Sequence, residues 1–327
     1  MTQPAADARK RALPAAFETR LRVPVVGAPM FIVSQPSLVV AQCIAGIVGS
    51  FPALNARPAE QLDDWLAEIT ETLAAHDAGK PARPAAPFAV NQIVHRSNAR
   101  LDKDLATCVR HKVPIVITSL GAVPEVNQAV HSYGGIVLHD IIHDRHARKA
   151  IEKGADGLIA VAAGAGGHAG TLSPFALVQE IRQWFDGPLL LSGAIANGGA
   201  ILAARAMGAD MAYIGSPFIA THEARAPAAY KQMIVEAKAA DIVYTNLFTG
   251  VHGNYLKGSI RAQGMDPDAL PQSDPSKMDF SSGAAKAWKD IWGCGQGIGA
   301  VREVVGAAEL VDRLAAEYEA AIQRLMA

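Results

Sequence analysis

One histidine set inside a run of glycines is the part of this chain best suited to chemistry. The stretch reads Ala163-Gly164-Ala165-Gly166-Gly167-His168-Ala169-Gly170-Thr171-Leu172-Ser173-Pro174 and follows an apolar, strand-like run from Gly157 to Ala162. Ser173 and Pro174 give a helix-start signal, a capping hydroxyl followed by a ring suited to the first helical position. The helix itself would run from Phe175 to Phe185. Glycines let a flat ligand approach the main chain, and an imidazole on such a strand-to-helix loop is placed to move protons. A surface turn with a solvated histidine would explain the same stretch in isolation. The rest of the chain must decide between the two.

Other residues of the same kind sit at the ends of apolar runs. Leu191-Ser192-Gly193-Ala194-Ile195 and Tyr213-Ile214-Gly215-Ser216-Pro217 each offer glycine backbone N–H groups before a possible helix, and Ser216 adds a hydroxyl. That combination suits a phosphate dianion, although glycines also serve helix–sheet packing. Asn91, closing an otherwise apolar run, reads either as a ligand contact or as a buried amide bonded to its own barrel. Ser119 and the pair His139-Asp140 end two further runs, and Asp140 could face His168 across a barrel mouth. His139 and His143 are four apart, but His139 falls on a strand, so the helical geometry of a metal pair fails and no metal site is expected. Asp144 is then read as a helix N-cap. Neither a Ser-His-Asp elbow nor a paired-carboxylate motif stands out.

Eight apolar runs must position these residues: Val23 to Met30, Gly46 to Phe51, Phe88 to Ile93, Pro114 to Leu120, Gly135 to Ile141, Gly157 to Ala162, Pro188 to Ala194 and Ala212 to Phe218. Continuous apolarity means strands buried on both faces, as in a parallel sheet. Between them the pattern predicts helices over 59–76, 101–111, 125–133, 144–153, 175–185 and 199–207. Gly134, Gly154, Gly187 and Gly208 are placed to end helices before the next strand. Eight β–α units in about 200 residues are the rhythm of a TIM barrel. A doubly wound open sheet is the alternative, but no Gly-x-Gly-x-x-Gly fingerprint follows the first strand. The expected fold is therefore α/β, a (β/α)8 TIM barrel over residues 1–240 with a small C-terminal lid region over 241–292. That region includes a loop near 265–280, and residues 293–327 carry a helix, 307–326, that packs back on the barrel.

Composition narrows the function classes. Of the 327 residues 50% are hydrophobic and 19% charged, which favours a buried core over disorder. Thirty basic residues against 31 acidic ones leave a net charge of −1, so neither nucleic acid nor a membrane surface is indicated as a partner. Three scattered cysteines fit reduced thiols in the cytoplasm. The first 22 residues contain no apolar core of a secretory signal. The least polar window, 188–204, is broken by Ser192, Asn197 and glycines, and reads as strand plus helix. A homodimer is compatible with all this but not demanded by it.

At these residues the chain resembles the nitronate monooxygenase (formerly 2-nitropropane dioxygenase) family of FMN-dependent TIM-barrel enzymes. The resemblance rests on Ala28-Pro29-Met30, Phe88-Ala89-Val90-Asn91, Ala165-Gly166-Gly167-His168-Ala169-Gly170, Ser192-Gly193 and Ile214-Gly215-Ser216-Pro217-Phe218, with a weaker echo at Trp292-Gly293-Cys294-Gly295-Gln296-Gly297. It implies FMN as cofactor, with Ala28, Pro29 and Met30 along the ring and Asn91 bonding to it. Gly166 would border the ring, and Gly193, Ala194, Gly215 and Ser216 would hold the phosphate. Ser119, Gly167, Ser192 and Tyr213 complete the implied cofactor site, and His168 would be the catalytic base. The implied reaction takes a nitronate or nitroalkane and O2 to a carbonyl compound and nitrite. The related alternative is an NAD(P)H-dependent reductase of quinones or enoyl thioesters, and a third reading is a flavin-binding barrel without activity. This chain departs from the family pattern at three places. Val161 stands where many members carry Gln, Gly164 where many carry Glu, and Asp140 where some quinone-reductase relatives carry Lys. These changes argue against the NADH:quinone reductase branch and alter the hydrogen bonding around flavin and substrate.

Overall fold

A computed structural model describes residues 19–273 and 289–327. Eight strands form one parallel sheet: β1 (Val25–Gly27), β2 (Gly49–Pro52), β3 (Phe88–Ile93), β4 (Ile115–Ser119), β5 (Ile136–Ile141), β6 (Gly157–Val161), β8 (Leu189–Ser192) and β9 (Met211–Ile214). Their order is β1-β9-β8-β6-β5-β4-β3-β2, so each strand lies beside its sequence neighbour and the two ends of the sheet are β1 and β2. Val26 bridges Val48 in parallel, and Gly27 donates its N–H to Val48 O at 2.8 Å. Those bonds bring the ends together, and the expected barrel is found rather than the open sheet.

Two apolar clusters explain why the runs are continuous rather than alternating. Val26, Ile117, Leu138, Ile159, Leu190 and Met211 point inward with their neighbours and fill the barrel. The intervening strand residues, such as Val25, Val90, Val116 and Leu191, pack outward under the helices. A barrel strand buries both faces, so both sets of positions are apolar.

The helices alternate with the strands: α1 (Pro36–Ala45), α2 (Gln61–Ala78), α3 (Leu101–Arg110), α4 (Pro124–His131), α5 (Asp144–Glu152), α6 (Pro174–Arg182) and α7 (Gly198–Met207). Short α8 (Ser216–Ile219) and α9 (Ala228–Glu236) follow the last barrel strand. Ser173 and Pro174 occupy the N-cap and first helical position of α6 as expected, though the Ser173 side chain makes no capping bond. The cap of α5 is a correction. His143, not Asp144, is the N-cap residue, its ring accepting from the His146 N–H at 3.2 Å. Asp144 is instead committed to the Trp184 indole N–H (2.6 Å) and to Arg148 (2.7 Å). Gly134, Gly154 and Gly208 take left-handed φ where helices stop, whereas Gly187 does not.

Past the barrel, β10 (Ile242–Thr245) and β11 (Gly253–Leu256) form an antiparallel hairpin followed by α10 (Lys257–Ala262). Residues 274–288, which include much of the loop read near 265–280, lie outside the described residues. The last helix, α11 (Ala307–Met326), packs against α1 and α7. Its first N–H, from Ala307, is received by the Glu223 carboxylate at 2.9 Å. No helix among the described residues is long and apolar enough to cross a membrane.

Candidate active site

A chamber of about 520 Å³ opens at the C-terminal ends of the barrel strands, inside the range of ~300–1,000 Å³ common for small-molecule sites. Ala28, Pro29 and Met30 form one wall, and Asn91, within β3, and Ser119, at the end of β4, also line it. Gly166, Gly167 and His168 form another side, and Ser192, Tyr213, Gly215 and Ser216 come from the ends of β8 and β9. Gly193 and Ala194 line a narrow adjoining cleft that shares Gly166, Gly215 and Ser216 with the chamber. The fourteen residues singled out in the sequence thus line the chamber or the cleft beside it.

His168 is not on a simple loop. Gly167 and His168 form a two-residue strand, β7, that pairs antiparallel with β11, Gly253 opposite His168 and Asn254 opposite Gly167. A Cβ on Gly253 would lie 2.7 Å from Gly167 O, so only glycine lets the strands approach this closely. Asn254 Nδ2 donates to Ala165 O (2.7 Å), and the Tyr244 hydroxyl donates to Ala169 O (2.8 Å). The hairpin grips the histidine segment from both sides. The imidazole Nε2 bonds Thr249 Oγ1 at 2.9 Å. Burial pushes its pKa down to about 4, because an imidazolium would lose its water there.

Asp140 lines the same chamber, but its hydrogen bonds run to β4 rather than to His168. Its carboxylate accepts from Ser119 Oγ at 2.5 Å and from the backbone N–H of Leu120, a residue held at a left-handed φ of 70°. Burial raises Asp140 to about 6 against the opposing pull of those two donors. Asn91 spends its amide hydrogens on its own barrel, on Ile117 O (3.1 Å) and Ser119 Oγ (2.7 Å). Asn91 is thus bonded to its own barrel, as one reading had it, and it also lines the chamber. His139 bonds Thr118 Oγ1 at 2.6 Å, and burial lowers it to about 4. Among the described residues no group of three His, Cys, Asp or Glu side chains is arranged to hold a metal ion.

The narrow cleft is floored by bare backbone. Gly193 has φ 142°, and a Cβ there would lie 2.8 Å from Ala163 O; one on Gly166 would lie 2.7 Å from the Gly295 nitrogen. The cover comes from the segment after the hairpin. Gly295 N–H donates to Ser216 Oγ (2.8 Å), Gln296 N–H to Gly164 O (2.9 Å), and Cys294 N–H to Asn254 O (3.2 Å). Trp292 stacks on Tyr230 with ring centroids 4.8 Å apart, and both line the chamber. An apolar-walled chamber thus adjoins a tight, polar, glycine-lined cleft. Tyr230, Thr249 and Asn254 were not singled out in the sequence. Only the echo at 292–297 hinted that the C-terminal part reaches the site.

A profile of the nitronate monooxygenase family matches residues 17–317. The chain belongs to that family. It is accordingly an enzyme and an oxidoreductase, in a family that is generally flavin-dependent. Nitronate monooxygenase from Paraburkholderia phytofirmans is 28% identical over 92% of this chain and 94% of its own length. Among solved structures, the nitroalkane oxidase from Streptomyces ansochromogenes matches with a TM-score of 0.78 and 28% identity, over 95% of this chain and all of its own. FabK from Thermotoga maritima matches at TM-score 0.77 over 95% of this chain and 96% of its own; at 23% identity that likeness bears on the fold alone.

Proposed function

We propose that this member of the family oxidises alkyl nitronates and neutral nitroalkanes with O2 to a carbonyl compound and nitrite, using FMN, with His168 as the general base. The observation that carries the reading is the place of the His168 imidazole, half-buried in the wall of a chamber beside a glycine-lined cleft, where desolvation pushes its pKa down. Bound FMN supplies an electron acceptor that O2 can reoxidise. Ala28, Pro29 and Met30 would flank its ring, and Asn91, with Ser119 and Tyr213 beside it, would offer polar contact. The backbone of Gly193, Ala194 and Gly215 and the hydroxyl of Ser216 would hold the phosphate, with Ser192, Gly166 and Gly167 completing the cleft.

Proton abstraction from carbon needs a base that is deprotonated at working pH and close to the substrate. Burial supplies the first condition by keeping His168 neutral. It also makes the imidazolium costly until an anion forms beside it. A nitronate generated next to the ring would provide that counter-charge, so the chamber favours the charged pair over the lone imidazolium. A preformed nitronate needs no such base.

Purified protein is expected to be yellow and to release FMN. His168→Ala should lose about 10²-fold or more in kcat/KM on a neutral nitroalkane such as nitroethane, with a smaller loss on its nitronate. Anaerobic mixing with NADH should leave the flavin oxidised. Rapid bleaching by NADH alone would put the pyridine-nucleotide reductase reading first, and equal turnover by the alanine variant would remove His168 from the mechanism.

A further inference from the structure

The pleat of the barrel strands puts one acid on the floor of the chamber. Ala89, Ile117, Leu138 and Met211 point inward and fill the barrel. Two residues further along the same strands stand Asn91, Ser119, Asp140 and Tyr213, which the alternation turns the same way and which line the chamber. Asp140 is held in place there. Ser119 Oγ donates to its carboxylate at 2.5 Å, and Asn91 Nδ2 donates to that Ser119 oxygen at 2.7 Å. Among the described residues Asp140 is the only acid lining the chamber. The other charged groups lining it are the bases Lys149, Arg225 and Lys289, all of them exposed. Burial lowers His139, His146 and His168 and raises Tyr213 and Tyr230, so these rings favour their neutral forms. Asp140, raised to about 6, is the group among them that changes charge near neutral pH.

We propose that Asp140 couples a proton to reduction of the cofactor: its carboxylate takes one up from solvent when electrons arrive in the chamber and returns it on reoxidation. This rests on the reading of the chamber as a flavin site. A flavin reduced by two electrons and one proton, like one that has gained a single electron, ends one charge more negative. In a chamber of about 520 Å³ that charge lies within about 10 Å of the carboxyl, where an effective dielectric of ~20 still makes it worth about tenfold in an equilibrium. Reduction therefore favours the neutral acid. The coupling is reciprocal, so a proton on Asp140 eases reduction and an ionised Asp140 opposes it. Ser119 and the Leu120 N–H stabilise the carboxylate while burial stabilises the acid, and that balance keeps both forms within reach.

The test follows the midpoint potential of the FMN-loaded protein against pH, by stepwise reduction with dithionite beside an indicator dye, in the wild type and in Asp140→Asn. Near pH 5 the acid is neutral in both redox states, and the two potentials should run parallel. From about pH 6 upward the wild-type potential should fall more steeply, approaching twice the slope of Asp140→Asn, because a second proton follows the two electrons. At still higher pH the wild type should remain the lower of the two. Infrared difference spectra of reduction give a reading in the wild type itself. A neutral-carboxyl band should grow on reduction at pH 7 and be missing from Asp140→Asn. Its absence from the wild type overturns the inference, as does a slope that Asp140→Asn leaves unchanged. A yellow protein that turns over no nitronate removes the proposed reaction, while the potentials still judge Asp140. One that takes up no FMN removes both.

Discussion

His139, His168 and Asp140 line one end of the barrel and respond to acid with opposite signs. Both histidines sit near pKa 4 in the folded chain against 6.5 for the free group. Between those values the unfolded chain binds their protons and the folded chain does not, so stability is present above 6.5 and lost as pH falls toward 4. Asp140 is raised from 3.8 to about 6, because the buried site prefers its neutral acid. Its contribution is present below 3.8 and lost as pH rises through 6. From these three groups alone, two histidines against one carboxyl contribute a net uptake of about one proton on unfolding, roughly 1.4 kcal/mol per pH unit. Asp140→Asn removes the opposing proton. Urea unfolding of flavin-free protein from pH 4.5 to 6 should then show a slope steeper than wild type by roughly 1.4 kcal/mol per pH unit. An unchanged slope would mean that Asp140 is already ionised across that window.

At the scale of elements, the loop between β1 and α1 shows what a sequence pattern cannot disclose. Ala28-Pro29-Met30 was legible as a tight apolar strand end, and it does wall the chamber. The residue that shapes the loop was not. Asn55 receives the Ile32 N–H (2.8 Å) and donates to Met30 O (3.0 Å) and Ser34 O (2.8 Å) from the turn after the neighbouring strand β2. These bonds hold Ile32 at φ 68°, a strained conformation for a β-branched residue. Nothing local in Pro52-Ala53-Leu54-Asn55 announces this role, because its partners are backbone atoms placed by the fold. Asn55→Ala leaves three backbone groups without that partner and lets Ile32 relax. A stability loss of about 2–4 kcal/mol by chemical denaturation is expected. FMN should also bind at least ~10-fold more weakly, since the wall would no longer be pre-shaped. Normal FMN affinity in this variant would show that the wall does not depend on the Asn55 clamp.

Across the whole molecule, the parts that were legible are those whose signal is local and repeated. Continuous apolar runs betray a barrel strand wherever they occur, and glycine-rich strand ends betray a cleft. The β7–β11 pairing was not legible, because its partners are more than 80 residues apart and β7 is two residues long. For the same reason Thr249 was missed and the cover at Gly293–Gln296 showed only as a weak echo: they belong to the site only after the chain has returned to it. The candidate site therefore joins early barrel loops to a late segment, and ligand binding should be felt by both. Hydrogen exchange measured with and without FMN tests this directly, because a ligand that binds only the closed arrangement suppresses opening of every segment that forms it. Slowed exchange is expected in four separated stretches: 28–32, 164–169, 193–196 and 293–296. The last is decisive. The Gly295 and Gln296 amides are bonded to Ser216 and Gly164, so a phosphate held in the cleft beneath them should hold those bonds shut. Protection confined to the first three stretches would place the phosphate elsewhere, and the C-terminal segment would be a cover for the barrel rather than part of the cofactor site.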